Sequence, residues 1–348
     1  MFGLKSLFGK SAPKSVRIMP AERAIAVNAG ETILERALKD GIAYPHDCTV
    51  GTCGACRTKL LSGKVEAITP FGYTLSKEEL AAGYILACQA LPKSDCEVEI
   101  EIQADAAAVV RTPAKLVSTT PLTHDILRVE WQVEAPIDFK AGQYVDVRWN
   151  GGEIHRSYSF ATAPEVGGAR TITCFIRRVP GGAFTDALFD GNLTNAAFEL
   201  EGPHGQFYLR PGKGPMLCIA GGSGLAPLVS ILQHAAAKRI RRDCILLFGA
   251  RGQRDLYGDS EISAIRSAWT AGFDYWPVLS EEEAPGFRHG FVTAHIAKAL
   301  ERLGPDAQAY LCGPPPMIDA AIAELTRLGV PLDAIFYDKF TDASTGKA

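Results

Sequence analysis

The spacing of hydrophobic and polar positions changes twice along the chain and divides it into three segments. In the first, about residues 16–103, SVRIMPAERAIAV is extended, NAGETILERALKDG repeats apolar residues at helical spacing, and CEVEIEI alternates strictly. The stretch RTKLLSGKVEAI predicts two strands about a Ser-Gly turn. This segment therefore predicts a small sheet with one helix.

Short strand patterns follow one another in the second segment, about residues 114–210. ILRVEWQV, QYVDVRW, RSYSF, RTITCFIRR and FELEG are separated by glycine and proline, a spacing that is typical of an antiparallel barrel. The preceding stretch QADAAAVVRTP, residues 103–113, is rich in alanine and ends near a proline, which indicates a linker.

Apolar runs alternate with helical patterns in the third segment, about residues 213–340. PMLCIAGG precedes LAPLVSILQHAAAK, CILLFGA precedes SEISAIRSAW, and AYLCGPPP precedes MIDAAIAELTRLG. This alternation predicts a parallel sheet with helices on both faces. The predicted divisions are a tail at 1–15, a first domain at 16–103, a linker at 104–112, a barrel at 113–211, an α/β domain at 212–342 and a tail at 343–348.

Composition narrows the class of protein. A length of 348 residues favours two or three domains, and the hydrophobic fraction of 47% and charged fraction of 22% are average for soluble globular proteins. The net charge of -3 gives no reason to expect a nucleic-acid partner. No apolar run approaches the ~20 residues that span a bilayer.

The N-terminus MFGLKSLFGKSAPKS lacks the apolar core and cleavage site of a secretory signal. Its apolar residues could form a short face beside lysines and make weak contact with a membrane surface, although a frayed tail is the simpler interpretation. These residues are Phe2, Leu4, Leu7 and Phe8. We expect a cytoplasmic monomer whose thiols are reduced.

Of the nine cysteines, one group is closely spaced and consists of Cys48, Cys53 and Cys56, with Cys88 downstream. Zinc sites usually pair their ligands as C-x2-C twice, and a disulfide framework is disfavoured by reduced thiols. The observed C-x4-C-x2-C…C spacing instead predicts a plant-type [2Fe–2S] cluster. Gly51 and Gly54 would let backbone N–H groups approach the sulfurs closely, whereas Cys96 is interpreted as structural.

The cysteine segment PHDCTVGTCGACRTKLLSGKV…YILACQ resembles the N-terminal ferredoxin domain of electron-transfer reductases that serve bacterial aromatic oxygenases. RSYSFATAP resembles the R-x-Y-[ST] pattern of the ferredoxin–NADP reductase superfamily. That resemblance implies FAD, with Arg156 on its pyrophosphate, the Tyr158 ring against the isoalloxazine and the Ser159 hydroxyl on N5, the atom that accepts hydride. Tyr158 could equally be a strand residue that packs on the barrel.

RRVPGGAFTDALF supports the FAD assignment. Gly181 and Gly182 precede a helix start near Thr185, where backbone N–H groups suit the flavin pyrophosphate. The alternative is an ordinary Pro-Gly-Gly turn with a threonine N-cap.

Two further stretches resemble the nicotinamide-binding part of the same superfamily. In AGGSGLAPLVSIL, Gly222 and Gly224 fit a dinucleotide fingerprint that Pro227 breaks, giving the superfamily's GGxGxxP; a turn that binds nothing is the alternative. In YLCGPPPM, the resemblance places Cys312, with Gly313 after it, beside the nicotinamide ring, although a buried strand cysteine is a common alternative.

The choice between NADH and NADPH is predicted from GARGQRDLYG, where the adenosine ribose would lie. Arg251 and Arg254 could bind a 2′-phosphate, but Asp255 argues against one, and the similar reductases use NADH. Phe340, near the C-terminus, is predicted to cover the flavin face opposite Tyr158.

The resemblance extends over nearly the whole chain and is strongest to the reductases of xylene monooxygenase, with those of phenol hydroxylase and benzoate dioxygenase also similar. It implies a β-grasp ferredoxin domain, an antiparallel β-barrel FAD domain and a parallel-sheet NAD-binding domain. Electrons would pass from NADH through FAD to [2Fe–2S] and on to a terminal oxygenase. That oxygenase could be a membrane di-iron, soluble di-iron or Rieske enzyme acting on an aromatic or related hydrocarbon. A non-oxygenase acceptor, as in deoxysugar dehydration, is the alternative.

Overall fold

The chain folds as two units, which divide between residues 106 and 107. The computed structural model describes residues 12–46, 48–102 and 107–340, so the predicted apolar face of the N-terminal tail lies outside the described residues. Within the described part of the chain, every helix is too short or too polar to cross a lipid bilayer.

A mixed sheet with a helix packed on it forms the first unit. The sheet order is β2-β1-β7-β3-β5, in which β1 and β7 are parallel and the other neighbours antiparallel, and β4 pairs separately with β6. This is the predicted β-grasp arrangement. Its elements are β1 (Lys14–Met19), β2 (Arg23–Val27), α1 (Ile33–Lys39), β3 (Arg57–Ser62), β4 (Val65–Ala67), α2 (Lys77–Ala81), β5 (Tyr84–Leu86), β6 (Ala90–Pro92) and β7 (Cys96–Glu99).

Local sequence explains why α1 begins where it does. Thr32 and Glu35 form a capping box, in which each side chain accepts a hydrogen bond from the other residue's backbone N–H. Ile33, Leu34 and Ala37 are buried on one face, as the helical spacing predicts. That face lies against the 3-10 turn Ala87–Gln89, which carries Cys88.

The predicted strands on either side of the Ser-Gly turn both exist, but they do not pair with each other. β3 pairs with β5 and β7, whereas β4 pairs with β6. The reason lies at Gly63, whose φ is +96° and whose position leaves no room for a Cβ, since that atom would lie 2.4 Å from the Asp95 carbonyl oxygen. The chain therefore packs closely against the start of β7 at this point. Next to it, Lys64 donates its N–H to the Ser94 hydroxyl at 2.9 Å.

An antiparallel barrel begins the second unit, in the order β11-β10-β13-β8-β9-β12. A bridge between Phe160 and Cys174 joins its two edge strands. The first strand begins at Val110, inside the predicted linker, because Val110 and Thr112 pair with β13. The elements are β8 (Val110–Pro121), β9 (Ile126–Ile137), β10 (Tyr144–Trp149), β11 (Ile154–Ser159), β12 (Ala169–Arg177), α3 (Ala183–Phe189) and β13 (Phe198–His204).

An all-parallel sheet completes the second unit, in the order β17-β16-β15-β14-β18-β19. All six residues of β14 are buried, as expected for a central strand covered on both faces. The elements are β14 (Met216–Gly221), α4 (Leu225–Ala237), β15 (Cys244–Ala250), α5 (Asp259–Ala268), β16 (Phe273–Leu279), β17 (Arg288–His289), α6 (Ile296–Leu303), β18 (Gln308–Gly313), α7 (Pro315–Arg327) and β19 (Ile335–Lys339).

Helix α4 joins the parallel sheet to the barrel. The buried Ser230 hydroxyl accepts a hydrogen bond from the Gly142 N–H at 3.3 Å and donates one to the Thr162 carbonyl at 2.6 Å. Next to it, the Ala163 N–H donates to the Gln233 side chain at 3.0 Å. The segment that follows β11 is thereby fixed to the helix that follows β14, and both belong to one apolar core.

Replacing Gly142 by alanine should destabilise this junction. Gly142 has a φ of +104°, and an added Cβ would lie 2.7 Å from the Phe207 carbonyl oxygen and 2.9 Å from Ile231 Cδ1. Gly167 has a similar φ of +86° with nothing within 4 Å, so Gly167→Ala is the matched control.

We expect the control to lose about 1–2 kcal/mol from the left-handed backbone alone. Gly142→Ala should lose about 1–3 kcal/mol more from overpacking. Thermal and urea unfolding of both variants measures the difference, and equal losses would contradict the close packing of α4 on the barrel.

Candidate functional site

The four clustered cysteines lie on two segments of the first unit. Cys48, Cys53 and Cys56 lie in the loop between α1 and β3, and Cys88 lies in the 3-10 turn after β5. Backbone N–H groups point at the sulfurs: those of Thr52 and Cys53 donate to Cys48 Sγ at 3.3 Å each, and that of Cys88 donates to Cys56 Sγ at 3.4 Å.

The thiols form two hydrogen-bonded pairs, Cys48 with Cys53 and Cys56 with Cys88. The bond from the Cys53 thiol is the main reason why the pKa of Cys48 falls to about 4, and the bond from the Cys56 thiol likewise lowers the pKa of Cys88. The pKa values of Cys53 and Cys56 are raised in return. The four sulfurs thus interact in two pairs, and iron would bind both members of a pair as thiolates.

Both predicted glycines of the loop have a left-handed backbone, with φ of +85° at Gly51 and +75° at Gly54. Gly51 also lies against the side chain of Gln89, which is 6% exposed. The Thr74 hydroxyl donates to the Gly51 carbonyl from another segment. Neither Gln89 nor Thr74 was expected from the cysteine spacing, because their proximity depends on the tertiary fold.

Cys96 is separate from this group. It lies at the start of β7, and its thiol donates to the carbonyl groups of Ser94 and Lys64 at 3.3 and 3.5 Å. Burial raises the pKa of this thiol, which agrees with a structural cysteine that stays protonated.

The predicted flavin residues lie on β11 of the barrel. Arg156 is exposed, and one of its N–H groups donates to the His155 carbonyl at 2.7 Å. The half-buried Tyr158 ring packs 5.7 Å from the Phe184 ring on α3, and burial raises the pKa of its hydroxyl. Ser159 is buried at the end of the strand. Tyr158 therefore packs against the core of the barrel while part of the residue stays accessible, so both interpretations of its role stay open.

The glycine turn before α3 is held by its own hydrogen bonds. The Gly181 N–H donates to Asp186 Oδ2 at 2.9 Å, and the Gly182 N–H donates to the Val179 carbonyl at 2.9 Å. The buried Thr185 hydroxyl bonds to the main chain of Val179. Gly182 rather than threonine is the N-cap of α3, so these three residues shape the turn that presents the helix start.

The two predicted nicotinamide stretches meet in the second unit. Gly224 lies so close to β18 that an added Cβ would be 2.2 Å from the Cys312 carbonyl oxygen, and an added Cβ at Gly313 would be 3.0 Å from the Gly221 carbonyl oxygen. Gly222 has a φ of +55°, and Pro227 occupies the first turn of α4. A strand-to-helix turn and a strand end 88 residues apart in sequence (312 minus 224) therefore pack directly against each other.

A cavity of about 510 Å³ opens at the carboxyl ends of the parallel strands. Ligands of open parallel sheets bind in this position. The cavity is lined by Gly222, Arg251, Asp255, Phe291, Pro314 and Met317, among others.

Charged residues from the barrel and from the segment after β15 line this cavity together. Arg251 lies 3.3 Å from an Asp255 carboxylate oxygen and 3.8 Å from one of Asp125. Arg177 donates to Asp125 at 2.9 Å, and several hydrogen bonds and ion pairs outweigh burial to lower the pKa of Asp125. Asp125 and Arg177 were not predicted, because they lie on barrel strands and turns without a motif.

The end of β19 brings one more residue to Cys312. Asp338 is its register partner, and burial raises the pKa of the Asp338 carboxyl to about 6. Burial, with a contribution from Asp338, also raises the pKa of the Cys312 thiol, which is fully buried. Phe340 donates its N–H to the Gly313 carbonyl at 2.9 Å and packs on the core shared with the barrel.

Comparison with known proteins matches the chain to domains for the same three cofactors. Three families match in chain order: the 2Fe-2S iron-sulfur cluster binding domain at residues 16–93, the oxidoreductase FAD-binding domain at 113–208 and the oxidoreductase NAD-binding domain at 218–322. The xylene/toluene monooxygenase electron transfer component of Pseudomonas putida is 41% identical over 97% of this chain and 96% of its own. The chain belongs to the family of oxygenase reductase components.

Other relatives of the reductase support this membership. The aromatic O-demethylase reductase subunit of Amycolatopsis is 39% identical over 92% of the reductase and 97% of its own length. The crystal structure of the Amycolatopsis cytochrome P450 reductase GcoB, 36% identical, covers 95% of the reductase and 99% of its own chain with a TM-score of 0.71. The predicted family, fold class, electron-transfer activity and the [2Fe–2S], FAD and NAD cofactor domains are thereby confirmed.

Asp338 should make the stability of the reductase depend on pH. Because its pKa is about 6 in the folded chain and ordinarily 3.8, the half-buried carboxyl loses its proton less readily in the folded chain than in the unfolded chain between these two pH values. Stability is therefore lost as the pH rises through this window. Asp338→Asn stays neutral, so its melting temperature relative to the unsubstituted protein should rise by roughly 2–4 °C between pH 5 and pH 7.5.

Asp333→Asn, at an exposed position before β19, is the control and should show no such change. Differential scanning fluorimetry at the two pH values measures all three proteins. A constant difference between Asp338→Asn and the unsubstituted protein would contradict the raised pKa.

Proposed function

We propose that this reductase passes electrons from NADH to a terminal oxygenase that acts on an aromatic or related hydrocarbon. The observation that carries the substrate class is identity over almost the entire chain to relatives named for xylene/toluene and aromatic O-demethylation. A relative from Rhodococcus jostii named for propane 2-monooxygenase, 34% identical, supports the wider class of hydrocarbons. A non-oxygenase acceptor remains the alternative.

The proposed iron ligands are the two thiol pairs of the first unit. Cys48 and Cys53 would hold one iron, and Cys56 and Cys88 would hold the other, because a [2Fe–2S] cluster takes four cysteine thiolates. The N–H groups that already point at Cys48 and Cys56 support this assignment, since such donors stabilise thiolate charge.

The proposed flavin site uses the accessible part of β11. Arg156 has further N–H donors for the pyrophosphate beyond the one bonded to His155, and the start of α3, shaped by Gly181, Gly182 and Thr185, would lie beside it. Tyr158 would present its accessible ring surface, and Ser159 its hydroxyl. Bound FAD supplies the conversion of two-electron hydride chemistry into single-electron steps.

The proposed nicotinamide site is the cavity at the strand ends. Gly222 lines the cavity, and its turn with Gly224 before Pro227 would hold the pyrophosphate. Cys312 and Gly313, which are not in the cavity lining but pack on Gly224 and Gly221, would position the nicotinamide from behind that turn. The buried thiol stays protonated because its pKa is raised, so Cys312 would act by shape rather than as a nucleophile. Phe340 as a cover for the flavin stays a prediction from the sequence.

NADH is proposed over NADPH because of the charges around Arg251. Asp125 and Asp255 both flank its guanidinium, so a 2′-phosphate would meet two carboxylates and an already paired cation. Three further points stay predictions from the sequence: the monomeric state, the cytoplasmic location and weak membrane contact through the N-terminal tail.

The relay is tested by cofactor content and the effect of two cysteine substitutions. The purified protein should show flavin and iron–sulfur absorption, about two irons per chain, and NADH-dependent reduction of cytochrome c. Cys88→Ser should lose the iron–sulfur absorption and the cytochrome c reduction while keeping the flavin band. Cys96→Ser, the control at a buried cysteine outside the cluster, should keep all three. A Cys88→Ser variant with intact iron would refute the ligand assignment.

The nicotinamide preference is tested by Asp255→Ser. Serine can still accept the Gly252 N–H that Asp255 accepts at 3.0 Å, while the substitution removes one of the two carboxylates that flank Arg251. We expect kcat/KM for NADPH to rise about tenfold, equivalent to about 1.4 kcal/mol, with a smaller change for NADH. Asp274→Asn, paired with Arg302 away from the cavity lining, should change neither. An unchanged ratio of kcat/KM for NADPH to that for NADH in Asp255→Ser would overturn the charge argument.

A further inference from the structure

We propose that the side-chain amide of Gln89 is a positioning residue for the iron–sulfur cluster, which holds the cysteine loop against Cys88 and raises the cluster's reduction potential. The inference rests on the proposed ligation by Cys48, Cys53, Cys56 and Cys88. It concerns a residue that is not itself a ligand.

The position of the amide is the first support. Gln89 Nε2 donates to the Cys88 carbonyl at 3.0 Å and to the Thr49 carbonyl at 3.3 Å, and it lies 3.8 Å from Cys88 Sγ. One amide group therefore connects the cysteine loop, through Thr49, to the turn that carries Cys88. The side chain is 6% exposed, so these contacts are made away from bulk water.

The loop is shaped to admit this side chain. A Cβ at Gly51 would lie 2.7 Å from Gln89 Cγ and 3.2 Å from its Cδ, so any other residue at 51 would displace the glutamine. The backbone of Gln89 is fixed as well, since its carbonyl accepts the Ile68 N–H at 2.9 Å. Gly51 thus has two functions, a φ of +85° and the space occupied by Gln89.

The chemical consequence follows from the charge that a cluster gains on reduction. Because both hydrogens of Gln89 Nε2 are donated to carbonyl groups, the amide acts on Cys88 Sγ at 3.8 Å through the positive end of its dipole. A positive dipole end near a cysteine sulfur stabilises negative charge there, and such polar surroundings are one of the factors that set iron–sulfur potentials. The stabilisation is greater for the reduced cluster, which carries one more electron. Burial strengthens the effect, because water does not screen the amide dipole.

Two substitutions of similar size separate this role from packing. Gln89→Leu removes the N–H donor and adds no charge, whereas Gln89→Glu replaces the donor by a group that disfavours further negative charge. If Gln89 only fills space, neither variant should change the potential. If its amide acts on the cluster, the potential should fall in the order unsubstituted, Gln89→Leu, Gln89→Glu.

Thr74→Val is the structural control. It removes a side-chain hydrogen bond to the Gly51 carbonyl in the same loop without removing a donor from a sulfur. It should loosen the loop, seen as faster loss of iron to a chelator, and leave the potential nearly unchanged.

The experiment uses the full-length holoprotein. Iron content is measured first, and the potential is then obtained by a dye-mediated titration that follows the electron paramagnetic resonance signal of the reduced cluster. We expect about two irons in every variant. In Gln89→Leu, the equilibrium constant for one-electron reduction should fall about tenfold, which is about 59 mV for a one-electron couple, with a larger fall in Gln89→Glu.

Three results would contradict either the role of Gln89 or the ligation on which that role rests. Equal potentials in proteins with full iron content would refute the role of the amide. Loss of iron from both Gln89→Leu and Gln89→Glu would show a need in assembly and would also refute tuning. Absence of iron from the unsubstituted protein would refute the ligation itself, which is the proposed function rather than the role of Gln89.

Discussion

The structure of the second unit depends on the packing of α4 between the parallel sheet and the barrel. Ser230 is fully buried there and bonds to the barrel segments at Gly142 and Thr162, while Ile231 fills the space that the missing Cβ of Gly142 leaves. Hydride transfer requires reacting atoms within about 3–3.5 Å of each other. The proposed flavin site on β11 and the proposed nicotinamide site at the start of α4 would meet that requirement because one apolar core fixes both elements.

In the first unit, the corresponding requirement is that hydrogen-bond donors reach the clustered cysteine sulfurs. Its cysteine loop carries three of the four clustered sulfurs, and backbone N–H groups donate to Cys48 Sγ where the chain curves through Gly51 and Gly54. Two side chains from outside the loop contact it: Gln89 donates to the Thr49 carbonyl, and Thr74 donates to the Gly51 carbonyl. The ligand spacing is local in sequence, but the surroundings of the ligands are not.

This distinction explains what the sequence could predict. Cysteine spacing, strand alternation and helical periodicity are local patterns, and they indicated the cluster, the barrel and the parallel sheet, whereas FAD and NADH were implied by the resemblance of short motifs to a known superfamily. Pairing is not local: β4 leaves β3 for β6 because Gly63 packs on Asp95, which no pattern in RTKLLSGKVEAI indicates. Asp125 and Asp338 were missed for the same reason, since each acquires its significance only from a neighbour on a distant strand.

The contact between Gly224 and the Cys312 carbonyl joins the two nicotinamide stretches through main-chain atoms alone. The side chain at position 312 therefore takes no part in that join. Position 224 requires glycine because a Cβ would clash with the Cys312 carbonyl. Position 312 is limited only by the volume available to its side chain and by the chemical group that this side chain carries. The fold can thus retain the turn at Gly222 and Gly224 while residue 312 varies, so a residue proposed to lie beside the nicotinamide could change without a change in the architecture.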